Sequence, residues 1–344
     1  MKRRDAASPS GDVLWYTSGV FSLKDSPWLR FFRVPNLPTA PGDALVGAAF
    51  MMPAGDATLP HALAASVGVF FMYMYGLADN DIADAAKDAV NAPDRPLPRG
   101  EIAPRAATVA MFACLLAACL LPNWIVRLVR PNGFMPLSWN VAMIALMCCV
   151  YAYNRMKRIW LMGACRGISV VCGGMAAWVP ESNPYTHDLL PGNWWLFISL
   201  GVLATGWAIY IEAVTKLSEG EEHPSEGLGN RRFVLGLSAF LPLLGFVPIA
   251  CAPGVEFASC VPFILPVTGC CCTFVAWCLA VAPLWLPHGP PERRRAVGRT
   301  IGALIYLQVG FMLIVPRVSF LVAAAALWLA CRGVRRLLPH VSGS

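Results

Sequence analysis

The sequence predicts an all-α fold, a polytopic membrane helical bundle of nine or ten transmembrane helices. Three observations carry that prediction. Of 344 residues, 57% are hydrophobic and only 14% charged, against about 25% charged in a soluble chain. The apolar residues gather into successive blocks near the ~20 residues that cross a bilayer. The basic residues favour alternate loops between those blocks, as the positive-inside rule requires.

The first 12 residues are polar and include Pro9, Ser10 and Gly11. No small-residue cleavage site follows an apolar run, so no removable signal peptide is expected. From Val13 to Phe32, tryptophan, phenylalanine and leucine alternate with Lys24, Asp25 and Arg30. That mixture suits an interfacial helix lying on the membrane surface, and a disordered tail fits it equally. Residues 1–32 are therefore read as a cytoplasmic N-terminal tail, 33–332 as the membrane domain, and 333–344 as a basic C-terminal tail.

Within the membrane domain, apolar blocks fall at about 39–52, 59–78, 104–121, 137–153, 160–179, 194–215, 233–251, 261–286, 300–315 and 318–331. The last two flank Pro316-Arg317 and form either one long kinked helix or a tight hairpin. This choice separates nine crossings from ten. With ten and a cytoplasmic N-terminus, Arg127, Arg130 and Arg317 fall outside, Arg166 lies within a helix, and the rest of the 27 Lys+Arg face the cytoplasm. With nine, Arg332, Arg335 and Arg336 move outside, yet the orientation survives. An integral protein of an inner or plasma membrane is expected, with its active site facing the cytoplasm.

Composition also excludes other classes. None of the 13 cysteines forms a C-x-x-C pair. Cys114, Cys119, Cys148, Cys149, Cys165, Cys172 and 270–272 lie inside apolar blocks and are read as small core residues. The five histidines are dispersed and show no ligand spacing. A net charge of +7 is scattered over short loops rather than gathered on one element, so no nucleic-acid partner is expected.

The chemistry is concentrated at the end of the second block. Asn80, Asp84 and Asp88 are spaced i, i+4, i+8, and Asp81 is one turn from Asp84, so a helix presents all four on one face. Like charges at that spacing repel, which predicts a cation among them. Oxygen-only ligands suit a hard ion such as Mg²⁺, which commonly bridges carboxylates to substrate phosphate. Arg95 and Arg99 follow at once, within Pro93-Asp94-Arg95-Pro96-Leu97-Pro98-Arg99-Gly100. A purely structural protein has little use for metal-competent groups and arginines at one helix end.

Residues 80–102, NDIADAAKDAVNAPDRPLPRGEI, resemble the first aspartate-rich motif of the UbiA superfamily of intramembrane prenyltransferases, N-D-x-x-D-x-x-x-D followed by D-R-P-x-P-x-G. A second cytoplasmic segment, from Tyr151 to Arg158, is similar to the Y-x-x-x-K-R stretch ending that family's fourth helix. The resemblance implies a UbiA-like helical bundle around a chamber that holds a polyprenyl tail. It implies that Asn80, Asp81, Asp84 and Asp88 hold Mg²⁺ on a polyprenyl diphosphate, and that Arg95, Arg99, Lys157 and Arg158 contact its oxygens. Asp84, Asp88, Lys157 and Tyr153 are the expected catalytic residues. Tyr151 or Tyr153 would lie near the reacting carbon, with Asn154 in the substrate pocket beside them.

One departure qualifies this match. The family's second aspartate pattern, D-x-x-x-D, is replaced by a segment from Ile209 to Glu222 without aspartate. Glu212 and Glu219 are seven apart and could replace it as metal ligands, or Glu212 and Lys216 could pair one turn apart in a solvated loop. The altered segment is similar to the EboC branch of the superfamily.

Smaller polar signals complete the candidate pocket. Asn36 and Asp43 lie near the cytoplasmic end of the first block, where a pocket role and helix capping compete and water is expected to reach Asp43. Arg166 lies deeper, to meet a carboxylate or diphosphate or to snorkel outward. Gly167, Gly173 and Gly174 are read as close-packing positions. The resulting expectation is transfer of a polyprenyl group from its Mg-bound diphosphate to an aromatic or other lipid-soluble acceptor. The competing reading is a non-catalytic isoprenoid-binding transport or biosynthesis-accessory protein on the same scaffold. Phosphoalcohol transferases also array aspartates on a membrane helix, but their D-G-x-x-A-R opening is absent from residues 72–88.

Overall fold

The apolar blocks become helices in a computed structural model that describes residues 26–51, 59–178, 194–219, 236, 238–245, 271, 274–279, 290–314 and 318–337. No strand occurs among them. After a one-turn helix α1 (Pro27–Phe31) and a 3₁₀ turn (Val34–Asn36), the chain forms α2 (Thr39–Met51), α3 (Leu59–Asn91), α4 (Pro104–Val129), α5 (Leu137–Met156), α6 (Ile159–Ala177) and α7 (Trp194–Glu219). Two further helices, α8 (Pro290–Ile314) and α9 (Val318–Leu337), close the described chain. Five of these, α3 to α7, contain stretches long and apolar enough to cross a membrane. The expected blocks at 233–251 and 261–286 lie largely outside the described residues, as do 1–25 of the expected interfacial tail.

The final pair is two helices, packed against each other. Arg335, near the end of α9, lies against Gly302, at the middle of α8, and only three residues separate the two helices, so they run antiparallel. The hairpin alternative therefore describes this segment better than a single kinked helix. Residues 315–317 between them are outside the described set.

Two apolar cores share α2 and α6. One joins α2 and α6 to α7, α8 and α9 around Trp207, Leu203, Phe311 and Phe320. The other joins them to α3, α4 and α5 around Met72, Trp139 and Leu146. Glycine makes the α2–α6 seam close: a Cβ at Gly47 would lie 1.8 Å from the Val170 carbonyl oxygen, and one at Gly173 1.8 Å from that of Ala44. Backbones in such contact gain dispersion energy without side chains intervening. Gly167 likewise lies against Ala204 of α7. On the outer side, Phe112, Leu116, Leu120 and Trp124 of α4 are exposed, an apolar face directed at lipid.

Helix α3 outruns the membrane. Its 33 residues span about 50 Å at 1.5 Å per residue, well beyond the ~30 Å hydrocarbon core. The acidic stripe occupies the overhang. Pro93, Pro96 and Pro98 then prevent the helix from continuing. The turn closes through hydrogen bonds from the amides of Glu101 and Ile102 to the Pro96 carbonyl, with Gly100 at φ +72°. This returns the chain to α4 with Arg95 beside the stripe.

Candidate active site

Each carboxylate of the stripe meets a cation supplied by a different part of the chain. Arg33, from the turn before α2, donates Nη2 to Asp81 at 2.6 Å. Arg95, from the loop after α3, donates Nη1 to Asp88 at 2.5 Å and lies 3.8 Å from Asp81. Lys157, at the end of α5, donates Nζ to Asp84 at 2.7 Å and to the Asn80 side-chain oxygen at 2.6 Å. The repulsion predicted along the stripe is thus offset by the protein's own cations. Arg33 and Lys157 are also the only non-glycine residues with positive φ among those described, at 45° and 52°. Strained backbone of this kind gathers at functional sites.

Below the mouth is a cavity of about 650 Å³, counting its opening. Val69, Met72, Tyr73, Gly76 and Asn80 of α3 line one side, a run at helical spacing. Val150, Tyr153 and Asn154 of α5, and Met162, Cys165, Arg166 and Ser169 of α6, line the others. From Asn80 to Val69 the wall descends about 16 Å along α3. Arg33 stands at its rim. An apolar shaft under a charged rim accommodates a molecule with a long hydrocarbon tail and an anionic head.

The candidate residues separate accordingly. Tyr153, Asn154 and Arg166 join Asn80 in lining the cavity, whereas Tyr151 does not. Tyr151 is exposed, with the Arg155 guanidinium 4.7 Å from its ring centre. Residues at i and i+2 on a helix lie about 200° apart, so only one of the two tyrosines can face inward. The tyrosine at the cavity is Tyr153. Arg99 pairs with Glu101 at 3.3 Å, and Glu101 also bonds Arg30. Arg158 is exposed at the start of α6. Asn36 is half-buried, and its carbonyl accepts the Thr39 hydroxyl at 2.8 Å, a contact at the start of α2 rather than in the cavity. On α7, Glu212 pairs with Lys216 at 2.6 Å, as the i, i+4 spacing allows. The Glu219 side chain is outside the described residues.

Asp43 corrects the sequence expectation, and Arg166 takes the carboxylate among its expected alternatives. Water does not reach Asp43, which is fully buried, because α6, α7 and α8 close over α2. Nor does Arg166 snorkel: it is 7% exposed and its Nε lies 2.6 Å from Asp43 Oδ2. The other carboxylate oxygen accepts from Arg166 Nη2 at 3.1 Å, Trp207 Nε1 at 2.9 Å and Gln308 Nε2 at 2.7 Å. Gln308 and Arg166 also bond the Thr39 carbonyl. Side chains from α6, α7 and α8 therefore converge on one carboxylate of α2, and the third nitrogen of Arg166, Nη1, donates to the Thr39 hydroxyl at 3.4 Å.

Sequence reasoning missed Asp79. It is buried between α3 and α5, accepting from Asn154 Nδ2 at 2.8 Å and from both terminal nitrogens of Arg155 at 3.3 and 3.2 Å. The available signal was a charged residue placed immediately before the stripe, about 100° round the helix from Asn80.

The donor set is compatible with Mg²⁺. Among the described residues no three His, Cys, Asp or Glu side chains converge as a metal cage. Mg²⁺ does not require one, since it is usually bound through one or two carboxylates plus phosphate and water. Asn80, Asp81, Asp84 and Asp88 offer only hard oxygen donors.

An all-helical membrane protein whose apolar cavity ends in interleaved carboxylates and guanidinium groups is of the intramembrane transferase class. The chain belongs to the UbiA prenyltransferase family, whose profile matches residues 43–289, and it is a prenyltransferase. It is 27% identical over 277 residues to the digeranylgeranylglyceryl phosphate synthase of Natronomonas pharaonis, covering 78% of this chain and 90% of that one. Its fold is similar to that solved for a digeranylgeranylglyceryl phosphate synthase in membranes, with TM-score 0.50, 18% identity, and coverage of 86% of this chain and 99% of that one. A UbiA homologue from Archaeoglobus fulgidus, solved with GPP and Mg²⁺, gives TM-score 0.46 at 18% identity over 84% of this chain and 99% of that one.

Proposed function

We propose that this protein transfers a prenyl group from an allylic diphosphate, held at the cytoplasmic end of α3, to a lipid-soluble acceptor of the glyceryl phosphate type. The observation that carries the reading is the apolar cavity lined by Arg33, Asn80, Tyr153, Asn154 and Arg166. The relative from Natronomonas pharaonis, by its name, makes a glyceryl phosphate bearing two geranylgeranyl groups. Such an acceptor is anionic, and the Arg33 guanidinium, which lines the cavity, would meet its phosphate.

In this reading Asn80, Asp81, Asp84 and Asp88 would hold Mg²⁺ on the diphosphate. Held by these residues, Mg²⁺ would neutralise charge on the departing diphosphate without proton transfer. Arg95 and Lys157, already at the stripe, exchange their carboxylates for diphosphate oxygens, with Arg99 and Arg158 beside them. Arginine binds as a planar fork and lysine as a point charge. The allylic carbon–oxygen bond then breaks with its electron pair leaving on the diphosphate. Tyr153 offers its ring face to the developing carbon cation. The apolar shaft excludes water that would otherwise capture that cation; the acceptor's hydroxyl oxygen takes the carbon instead, and its proton passes to the released diphosphate. Charge stabilisation of this type is commonly the largest contribution to such a rate.

The test is diphosphate release by purified wild type and Asp84→Asn, with Mg²⁺ or EDTA, and with a prenylated glyceryl phosphate or an aromatic acid as acceptor. Release that requires Mg²⁺, Asp84 and the glyceryl phosphate supports the proposal. Release only with the aromatic acid would redirect the acceptor class. Tight isoprenoid binding without turnover would favour the transport or accessory reading, for which the Glu212–Lys216 pair in place of a second aspartate motif is the motivating observation.

A further inference from the structure

We propose that Asp79 is a positioning residue that clamps the last turn of α5 and so holds Tyr153, Asn154 and Lys157 at the cavity mouth. The inference rests on the transferase reading above. Asp79 is 4% exposed and does not line the cavity, so it acts through its neighbours rather than on a ligand. Its Oδ2 accepts from Asn154 Nδ2 at 2.8 Å and Arg155 Nη1 at 3.3 Å, and its Oδ1 from Arg155 Nη2 at 3.2 Å. The Asn154 amide also donates to the Gly76 carbonyl at 3.0 Å. Two consecutive residues of α5 are thereby fastened to one turn of α3, with Arg155 as a bidentate fork.

What the clamp holds is conformationally expensive. Two residues after Arg155, Lys157 takes the left-handed conformation, φ 52° and ψ 30°, which a side-chain-bearing residue retains only where its surroundings enforce it. From that backbone its ammonium reaches Asn80 and Asp84. Tyr153 and Asn154, on the same turn, form part of the cavity wall. A carboxylate is a poor filler for a buried site, since an apolar residue of similar size often packs there with equal or greater stability. Its directional hydrogen bonds to Asn154 and Arg155 are what an apolar residue cannot replace.

The experiment compares wild type, Asp79→Asn, Arg155→Gln and the double variant, each purified in detergent. Mg²⁺-dependent diphosphate release from an allylic diphosphate gives kcat and KM. Melting temperature and amide hydrogen exchange of the segment 150–158 are measured alongside. The Arg155 side chain is 45% exposed, so Arg155→Gln tests the clamp even where Asp79→Asn fails to fold. Each single change is expected to lower kcat/KM about tenfold, since an ångström of misplacement can cost up to about a hundredfold. The double variant should lose no more than the worse single, because the two residues act as one unit. Exchange should accelerate within 150–158 and not across the other helices.

A lower melting temperature with unchanged kcat and KM in Asp79→Asn would make Asp79 merely structural and overturn the proposal. Multiplying losses in the double variant would also overturn it, and so would wild-type kcat/KM in Arg155→Gln. If the wild type itself releases no diphosphate, the transferase reading fails. In that case unaltered exchange in 150–158 would independently overturn the clamp.

Discussion

Two sets of charges lie at different depths in this protein, and they are built to opposite ends. At the mouth, Asp81, Asp84 and Asp88 each face a cation from a separate segment; the Lys157–Asp84 pair is exposed on both sides, 38% and 22%, whereas Asp81 and Asp88 are themselves buried beneath the partly exposed Arg33 and Arg95. Between α2 and α6, Asp43 and Arg166 are 0% and 8% exposed and are bound in addition by Trp207 and Gln308. Exposed ion pairs contribute about 0.2–1 kcal/mol and exchange partners readily. A buried pair opened by removing one member leaves a charge without solvent, at a cost of about 3–5 kcal/mol. The Lys157–Asp84 pair is therefore suited to surrender its cation to an incoming anion, and the inner pair is suited to fix helices. The difference teaches that the number of polar contacts says less about function than whether water can replace them.

That contrast can be broken most directly from the inside. Arg166→Leu leaves Asp43 buried without its cation and should destabilise the fold by about 3–5 kcal/mol, read as a large drop in melting temperature in detergent. A melting temperature within a degree of wild type would mean that the inner pair is not locked. Gln308→Leu removes one donor from the same carboxylate and should cost about 1.5–3 kcal/mol, the range for hydrogen bonds to charged groups.

At the mouth the expected pattern is reversed. Asp84→Asn and Lys157→Gln should each change stability by less than about 1 kcal/mol, while turnover by Asp84→Asn is abolished in correctly inserted protein. Full activity in that variant would remove the metal-site argument. Glu212→Gln should leave Mg²⁺ dependence unchanged, because its carboxylate is engaged with Lys216 on α7. A rise in the Mg²⁺ concentration needed for half-maximal rate would restore it as a ligand. The smallest effect is expected for Arg99→Gln, whose pair with Glu101 is 52% exposed on the arginine side. Its stability should stay within about 0.5 kcal/mol of wild type in urea or thermal unfolding.

Much of this was legible in one dimension. Composition and block length determined an all-helical membrane fold, because a bilayer admits helices whose backbone bonds are internal. The i, i+4, i+8 spacing determined that Asn80, Asp84 and Asp88 share a face, and the prolines after Asn91 determined where α3 stops. Those are local properties, fixed by the period of a helix and the missing amide of proline. Tertiary structure alone decided which helix lies against which. Asp43 and Arg166 are 123 residues apart and meet because Gly47 and Gly173 let the α2 and α6 backbones approach at one register. Asp79 acquires its partners from α5, 75 residues away. Tyr153 rather than Tyr151 faces the cavity because of how α5 is rotated against α3. Rotation and register depend on side-chain fit between distant segments, and no periodicity within either segment encodes them.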